Sequence, residues 1–271
     1  MTSNIVAVWQ SRSVLGLLVR RDLTVKYQQS VLGYLWSLLE PLAVAATYWF
    51  VFGYLYNTRG ALDGAPYLVF LASGLFAWQW TSAVLGEATT ALTAQSRLIT
   101  TIKVPRQVFP IGRVFGKFFE YLAALPVVFL VAGIYAILGD YHFTWHILIL
   151  PFAIAVQGVF LIGIALLLSS ANVLLRDVER FIRLLNRILF YSAPIIYPLA
   201  MVEKAGMPGW VMAIYQANPL VGITQLHHSA FLPQEFPNAT LLATTLTECV
   251  IIFLVGWFFF RRVEPAVLKE L

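Results

Sequence analysis

The sequence predicts an all-α membrane protein of six transmembrane helices, with an amphipathic interface helix before the first and re-entrant helices on the outer side before the last. Three observations carry that expectation. Of 271 residues, 60% are hydrophobic and only 11% charged, whereas ordinary soluble domains carry about a quarter charged residues. Six apolar runs approach the length, about 20 residues, that crosses roughly 30 Å of hydrocarbon at 1.5 Å per residue. The Lys and Arg residues fall almost entirely on alternate connections between those runs. The composition excludes a soluble, disordered or collagen-like chain. A lone cysteine, Cys249, excludes an internal disulfide scaffold.

Residues 1–32 are expected to form a cytoplasmic interface helix with Val14, Leu18 and Val25 on one face. Arg21 falls beside that face, a position from which a long side chain can snorkel to the headgroups. The first span runs from about Gly33 to Tyr56 and is interrupted by Glu40-Pro41. A second extends from about Tyr67 towards Leu92, with Glu87 near its end, and a third covers about Phe118 to Leu138. The fourth starts near Ile147 and meets no charge before Arg176; the fifth is shorter, from about Phe181 to Ile196. Between Tyr197 and Asn238, five prolines punctuate apolar patches at Trp210–Tyr215 and Leu220–Leu226 that are too short to cross. That pattern, over about 199–238, suits re-entrant or interfacial helices, with an ordered outer loop as the plainer alternative. The sixth span, about Leu241 to Phe260, ends on Arg261-Arg262, and residues 263–271 form a tail. Residues 33–262 thus read as one membrane domain.

With the N-terminus inside, sixteen basic residues lie on inner flanks and two, Arg59 and Lys204, on outer ones. The positive-inside rule then predicts two cytoplasmic termini and an even number of spans. The net charge of +5 is a topology signal rather than a nucleic-acid footprint. The leader lacks a basic, apolar and small-residue cleavage pattern, so the first span is expected to act as an uncleaved signal.

Two inner connections are rich in charge: Arg97 to Pro110, centred on Lys103, Pro105 and Arg106, and Arg176-Asp177-Val178-Glu179-Arg180. Their types and order, with other blocks, carry a family resemblance. The run from Arg20-Arg21-Asp22-Leu23-Thr24-Val25-Lys26-Tyr27 through Gly33-Tyr34-Leu35-Trp36-Ser37-Leu38-Leu39-Glu40-Pro41 resembles the N-terminal signature of polysaccharide-exporting ABC-2 permeases. These are membrane subunits that export O-antigen, teichoic acid, capsule and galactan. The similarity continues at Lys103-Val104-Pro105-Arg106, at Asn172 to Asp177, at Ser192-Ala193-Pro194-Ile195-Ile196-Tyr197-Pro198 and at Asn218-Pro219-Leu220, covering nearly the whole chain. Ala193 departs from the serine-proline pair often found there.

The resemblance implies a path between two copies of this chain in the bacterial plasma membrane, and two cytoplasmic ABC ATPase subunits docked on the inner loops. It implies a lipid-linked polysaccharide as cargo. The diphosphate of such a carrier costs at least a few kcal/mol at the bilayer centre, so crossing needs both a path and an energy source. The chain has no G-x-x-x-x-G-K-[ST] motif. It is therefore not expected to be an enzyme or to hold a cofactor, and ATP and Mg belong to the partner subunit. An excess of Arg over Lys, 13 to 5, with abundant Ala and Val, points to a GC-rich source. A galactan is then the first choice of glycan, ahead of O-antigen and teichoic acid.

Candidate residues follow, each with its plainer alternative. Arg20, Arg21 and Lys26 suit attraction of a diphosphate, or simply anchor the inner face. Glu40 is an ionisable group just inside a span, where carboxylates are usually paired and functional, and it is expected to pair with one of those bases. Glu87 and Glu120 are read as structural partners of Arg97, Arg113 or Lys117. Trp36, Tyr48, Tyr191 and Tyr197 are candidates to line a conduit, offering ring faces to sugars and polar tips to hydroxyls; an interfacial belt is the alternative, and the expected one for Trp78 and Trp80. Lys103, Pro105, Arg106, Arg176, Asp177 and Glu179 are the candidates for ATPase coupling. No metal site is expected: His142 and His146 lack a third ligand, and the adjacent His227 and His228 cannot share a helix face. Rival classes are a drug- or lipid-exporting ABC-2 permease and an intramembrane polyprenyl-phosphate glycosyltransferase, although the chain has no D-x-D or H-E-x-x-H motif.

Overall fold

A computed structural model describes residues 11–27, 33–55, 62, 65–101 and 104–270. Among these residues there are helices and no strands. In chain order they are α1 (Arg12–Tyr27), α2 (Trp36–Tyr48, continued by π turns over Trp49–Leu55), α3 (Tyr67–Thr89), α4 (Ser96–Thr101), α5 (Val108–Leu138), α6 (Leu150–Leu174), α7 (Val178–Ser192), α8 (Leu199–Lys204), α9 (Gly209–Gln216), α10 (Pro219–Phe231) and α11 (Ala239–Glu270). Among the described residues four apolar segments are long enough to cross a membrane: Tyr67–Thr89, Val108–Leu138, Trp145–Leu174 and Ala239–Glu270; Leu38–Tyr54 is shorter.

Helix α3 is the hub. In its most apolar stretch 72% of residues are buried, against 28–39% in the other three long helices, and it packs against α2, α5, α6, α7 and α10. The outer helices instead keep large side chains such as Leu130, Ile137, Phe152 and Val255 exposed, as lipid-facing surfaces require. Some buried polar groups join helices: the Gln157 amide donates to the Ala77 carbonyl and the Thr81 hydroxyl, both at 2.8 Å. Without water as a competitor, such bonds join helices that apolar burial alone cannot drive together.

Helices α6 and α11 cross most closely at two glycines. A Cβ at Gly256 would lie 2.0 Å from the Gly163 carbonyl oxygen, and one at Gly163 would lie 2.5 Å from the Phe253 Cα. Only hydrogen leaves room for that approach.

Helix α1 buries Leu18, with Val14 and Leu15 beside it, in a cluster with Leu92, Ile99, Phe109, Trp257 and Val267, and Val19 is buried as well. The expected face shifts accordingly: Val14 and Leu18 belong to it, whereas the Val25 side chain lies outside the described residues. Leu17, on the opposite side, is exposed.

Three boundaries differ from the sequence expectation. Helix α5 begins at Val108, ten residues before the apolar run at Phe118, because the charges that ended the run are ion-paired rather than solvated. Helix α11 passes Arg261-Arg262 and Pro265 to reach Glu270, so residues 263–270 continue a helix. Helix α7 has 15 residues and stops at Ser192, spanning roughly 22 Å at 1.5 Å per residue. Its stop is chemical: Pro194 drives Ala193 into extended backbone, φ −112° and ψ 149°.

The connector that follows is fastened by side chains. Its carbonyls at Ser192, Pro194 and Ile196 accept from the Asn218 amide at 3.4 Å, from the His228 ring at 3.0 Å and from the Tyr67 hydroxyl at 2.6 Å. Asn218 also caps α10, accepting from the Leu220 N–H at 3.1 Å with Pro219 in the first turn.

Candidate functional site

The C-terminal end of α3 and the N-terminal part of α5 carry the charges that hydropathy treats as interruptions. Lys117, ten residues into α5 and only 5% exposed, donates to Glu87 at 2.6 Å and to Glu120 at 2.9 Å, while Arg113 approaches Glu87 at 3.8 Å. Burial of an ammonium is tolerable here because two carboxylates satisfy it. Glu87 and Glu120 thus have the structural partners expected of them, with Lys117 the principal one.

Beside this network lies a cavity of about 260 Å³, bounded by α2, α3 and α5, into which Glu40, Gln79, Ser82, Glu87, Lys117 and Glu120 project over a floor of Phe76, Trp80 and Tyr121. Glu40 and Ser82 also line a second hollow of about 200 Å³ with Trp78 and Phe190. Ser82 and Trp78 continue into a third of about 310 Å³, with Tyr48, Asn186, Arg187 and Tyr191. The three hollows share walls and form one groove along α2, α3 and α7. It is acidic at one end and aromatic at the other. Asn186 reaches across it from α7 to donate to the Ser82 hydroxyl at 2.7 Å.

Of the candidate residues, Glu40, Tyr48 and Tyr191 come together along this groove. Tyr48 is half-buried against Phe52 and Phe190, and Tyr191 is 61% exposed at the rim. Trp36, 54% exposed, and Tyr197 do not line it. Tyr197 instead donates to the Tyr191 carbonyl at 2.7 Å and accepts from the Tyr215 hydroxyl at 3.5 Å. Burial raises the pKa of both Tyr197 and Tyr215, so the pair stays protonated. The belt reading of two tryptophans is corrected. Trp80 is buried and stacked on Tyr121, its indole donating to the Val114 carbonyl at 3.3 Å, and Trp78 packs on Phe190 inside the groove.

The expected pairing of Glu40 with a base is not found among the described residues. Arg20 is exposed on α1. Arg21 is tied to the protein: with its amide oriented to satisfy both guanidiniums, Gln95 accepts from Arg21 at 3.1 Å and from Arg113 at 3.0 Å. Lys103 and the side chain of Lys26 lie outside the described residues.

Just before α5, Arg106 meets Glu264 of α11 at 3.5 Å, with Pro105 beside it. Arg176 and Asp177 are exposed at the α6–α7 turn; Asp177 faces Arg180 at 4.0 Å and Glu179 pairs with Arg183. The turn is held by Asn172, which accepts from the Glu179 N–H at 3.2 Å and so caps α7. Sequence reasoning passed over that residue's role, and the block Asn172 to Asp177 was its only signal.

Two further features were missed. His227 and His228 are buried on α10 and diverge. The Pro194 carbonyl can only accept, so His228 Nε2 carries a proton, leaving Nδ1 at 2.9 Å to share the Ser73 hydroxyl. The Phe70 ring stacks on it at 3.9 Å. His227 Nδ1 lies 3.2 Å from the Tyr121 hydroxyl. Glu248, in the N-terminal half of α11, buries one carboxyl oxygen without a partner among the described residues.

Comparison with known proteins agrees with this architecture. Residues 13–232 match the family of the ABC-2 type transporter. The chain is 26% identical over 258 residues to the O-antigen export system permease protein RfbA of Myxococcus xanthus, covering 95% of each. It is 30% identical over 252 residues to a Klebsiella pneumoniae protein of the same name, covering 93% of this chain and 92% of the relative. The polysialic acid transport protein KpsM of Escherichia coli is 23% identical over 251 residues, 92% of this chain and 93% of the relative. The match to the family covers most of the chain, and the protein belongs to the ABC-2 type transporters.

Proposed function

We propose that the chain is the membrane subunit of an ATP-driven exporter of a lipid-linked polysaccharide in the bacterial plasma membrane. The observation that carries this reading is the groove on α2, α3 and α7, which graded walls take from carboxylates through Trp78 to Tyr48 and Tyr191. A glycan needs such a wall, hydroxyl partners together with ring faces, and a small apolar drug does not. Helix α7 leaves Phe181, Leu184, Ile188 and Tyr191 exposed beside the groove. A second copy facing them would close the groove into a passage.

In this reading α2 and α7 complete a set of six spans with the four long helices, residues 33–262 form the transmembrane domain, and α8, α9 and α10 make the re-entrant region on the outer side. Trp36, exposed at the start of α2, and Tyr197 lie outside the groove itself and border the two ends of the passage. The termini are cytoplasmic. The exposed Arg20 of the interface helix, together with Lys26, attracts the carrier's diphosphate from the inner leaflet, with Arg21 setting the helix in place. ATP and Mg are bound by two separate ATPase subunits, which contact Lys103, Pro105, Arg176, Asp177 and Glu179 and move the spans through them. Galactan is the first choice of glycan, with O-antigen and teichoic acid next; the relatives' names favour O-antigen-like chains.

Depletion of the protein in its own host tests the reading. A lipid-linked glycan is expected to accumulate on the cytoplasmic side and, once isolated, to identify the cargo. Depletion without accumulation of any such glycan would refute the reading, and loss of resistance to amphipathic drugs instead would indicate a drug exporter.

A further inference from the structure

The carboxylate-rich end of the groove decides which part of a glycolipid can enter it. Three carboxylates, Glu40, Glu87 and Glu120, line the 260 Å³ cavity against one ammonium, Lys117. That ammonium is already engaged by Glu87 and Glu120 at 2.6 and 2.9 Å and is 5% exposed, so it has little left to offer an incoming anion. A diphosphate brings acceptors and negative charge only. Glu40 has no cation beside it among the described residues, so a diphosphate meets its full repulsion, while Lys117 and Arg113 stay committed to Glu87 and Glu120.

An uncharged sugar ring has the opposite character. Its hydroxyls donate, which carboxylates require, and they also accept, which the Gln79 amide and the Ser82 hydroxyl can use. Phe76, Trp80 and Tyr121 form an apolar floor for the C–H face of a ring. The volume lies just below the range of about 300–1,000 Å³ typical of ligand sites, room for one ring and not for a folded chain.

We propose that this cavity is a saccharide subsite that takes an uncharged sugar ring of the transported glycan and excludes the diphosphate. The assignment rests on the export reading and sharpens it: Glu40 meets sugar hydroxyls, and the phosphates stay with the bases of the interface helix. Glu40 and Gln79 are the residues whose loss should weaken the site without disturbing the Lys117 ion pairs.

The test uses the full chain in lipid nanodiscs. Methyl glycosides of galactose, glucose, mannose and N-acetylglucosamine, and separately inorganic diphosphate, are added while saturation transfer to the ligand and quenching of tryptophan fluorescence are followed. At least one glycoside is expected to bind saturably in the millimolar range. Gln79→Leu and Glu40→Gln are expected to weaken it at least tenfold, and diphosphate should neither bind nor compete. Thermal melting checks that each variant is folded; Glu40 is exposed on α2, so its variant serves if the Gln79 variant is not. Diphosphate that competes with the glycoside, glycoside binding indifferent to a folded variant, or no glycoside binding at all overturns the proposal. Accumulation of a lipid-linked glycan on depletion, together with any of those results, would leave the export reading standing and this subsite refuted.

Discussion

Arg106 shows how one contact changes the meaning of a charged loop. By sequence it is a docking residue; in the fold its guanidinium meets Glu264 at 3.5 Å, clamping the loop before α5 to the last helix. A half-exposed pair of this kind contributes about 1 kcal/mol or less, but it fixes where the loop sits. Arg106→Glu sets two carboxylates against each other and is expected to reduce ATP hydrolysis coupled to substrate severalfold in a reconstituted exporter. Adding Glu264→Arg should restore most of it. Failure to restore would mean that Arg106 touches the ATPase itself. His228 is the second case. Its partners, Ser73 and Pro194, are 155 and 34 residues away, and Gly74 leaves space for the ring, because a Cβ there would sit 2.6 Å from His228 Cε1. Replacing His228 by Ala strands the Pro194 carbonyl, with an expected cost of about 1–3 kcal/mol, readable as a lower thermal midpoint in detergent. An unchanged midpoint would remove the connector's central fastening from the account.

Helices here are held by small residues and isolated polar bonds, since lipid offers apolar side chains as good an environment as a neighbouring helix does. The crossing of α6 and α11 depends on Gly163 and Gly256. Gly256→Leu must push the helices apart, and overpacking of this kind typically costs roughly 1–3 kcal/mol. The expected outcome is loss of folded protein on detergent extraction, whereas the same substitution at Gly133, where an added Cβ meets nothing within 4 Å, is expected to be tolerated. Equal behaviour of the two variants would argue against that crossing. Helix α7 makes a different point. Its Arg180, Arg183 and Arg187 are exposed alongside Phe181, Leu184 and Ile188, a surface suited neither to lipid alone nor to water alone. Under the proposed export reading such a helix sits beside the passage. Its short length is then compatible with a span, because the irregular Ala193–Pro198 connector is buried in protein, the one place where non-helical backbone is tolerated at membrane depth.

For the whole molecule, the arrangement of basic residues predicts which ends face the cytoplasm, and Cys249 makes the test simple. It is the sole cysteine and is buried, so a membrane-impermeant maleimide reports on introduced cysteines alone. Asp140→Cys and Lys204→Cys are expected to label in intact cells, and Asp177→Cys only after permeabilisation; the reverse pattern would invert the topology. Membrane residence and the positions of α3, α5, α6 and α11 were legible in the sequence. Each is a property of a single segment, since a helix satisfies its own backbone and hydropathy sums along the chain. The family was legible too, through an ordered set of motifs. The site was not. Nothing in the one-dimensional pattern tells that Lys117 turns inward to Glu87, thirty positions earlier, that Trp80 is core while Trp78 lines a groove, or that adjacent histidines serve different helices. Hydropathy scores how apolar a segment is, not which face of it meets which neighbour. That choice is made by close packing and by the need of every buried polar group for a partner, and only the assembled helices settle it.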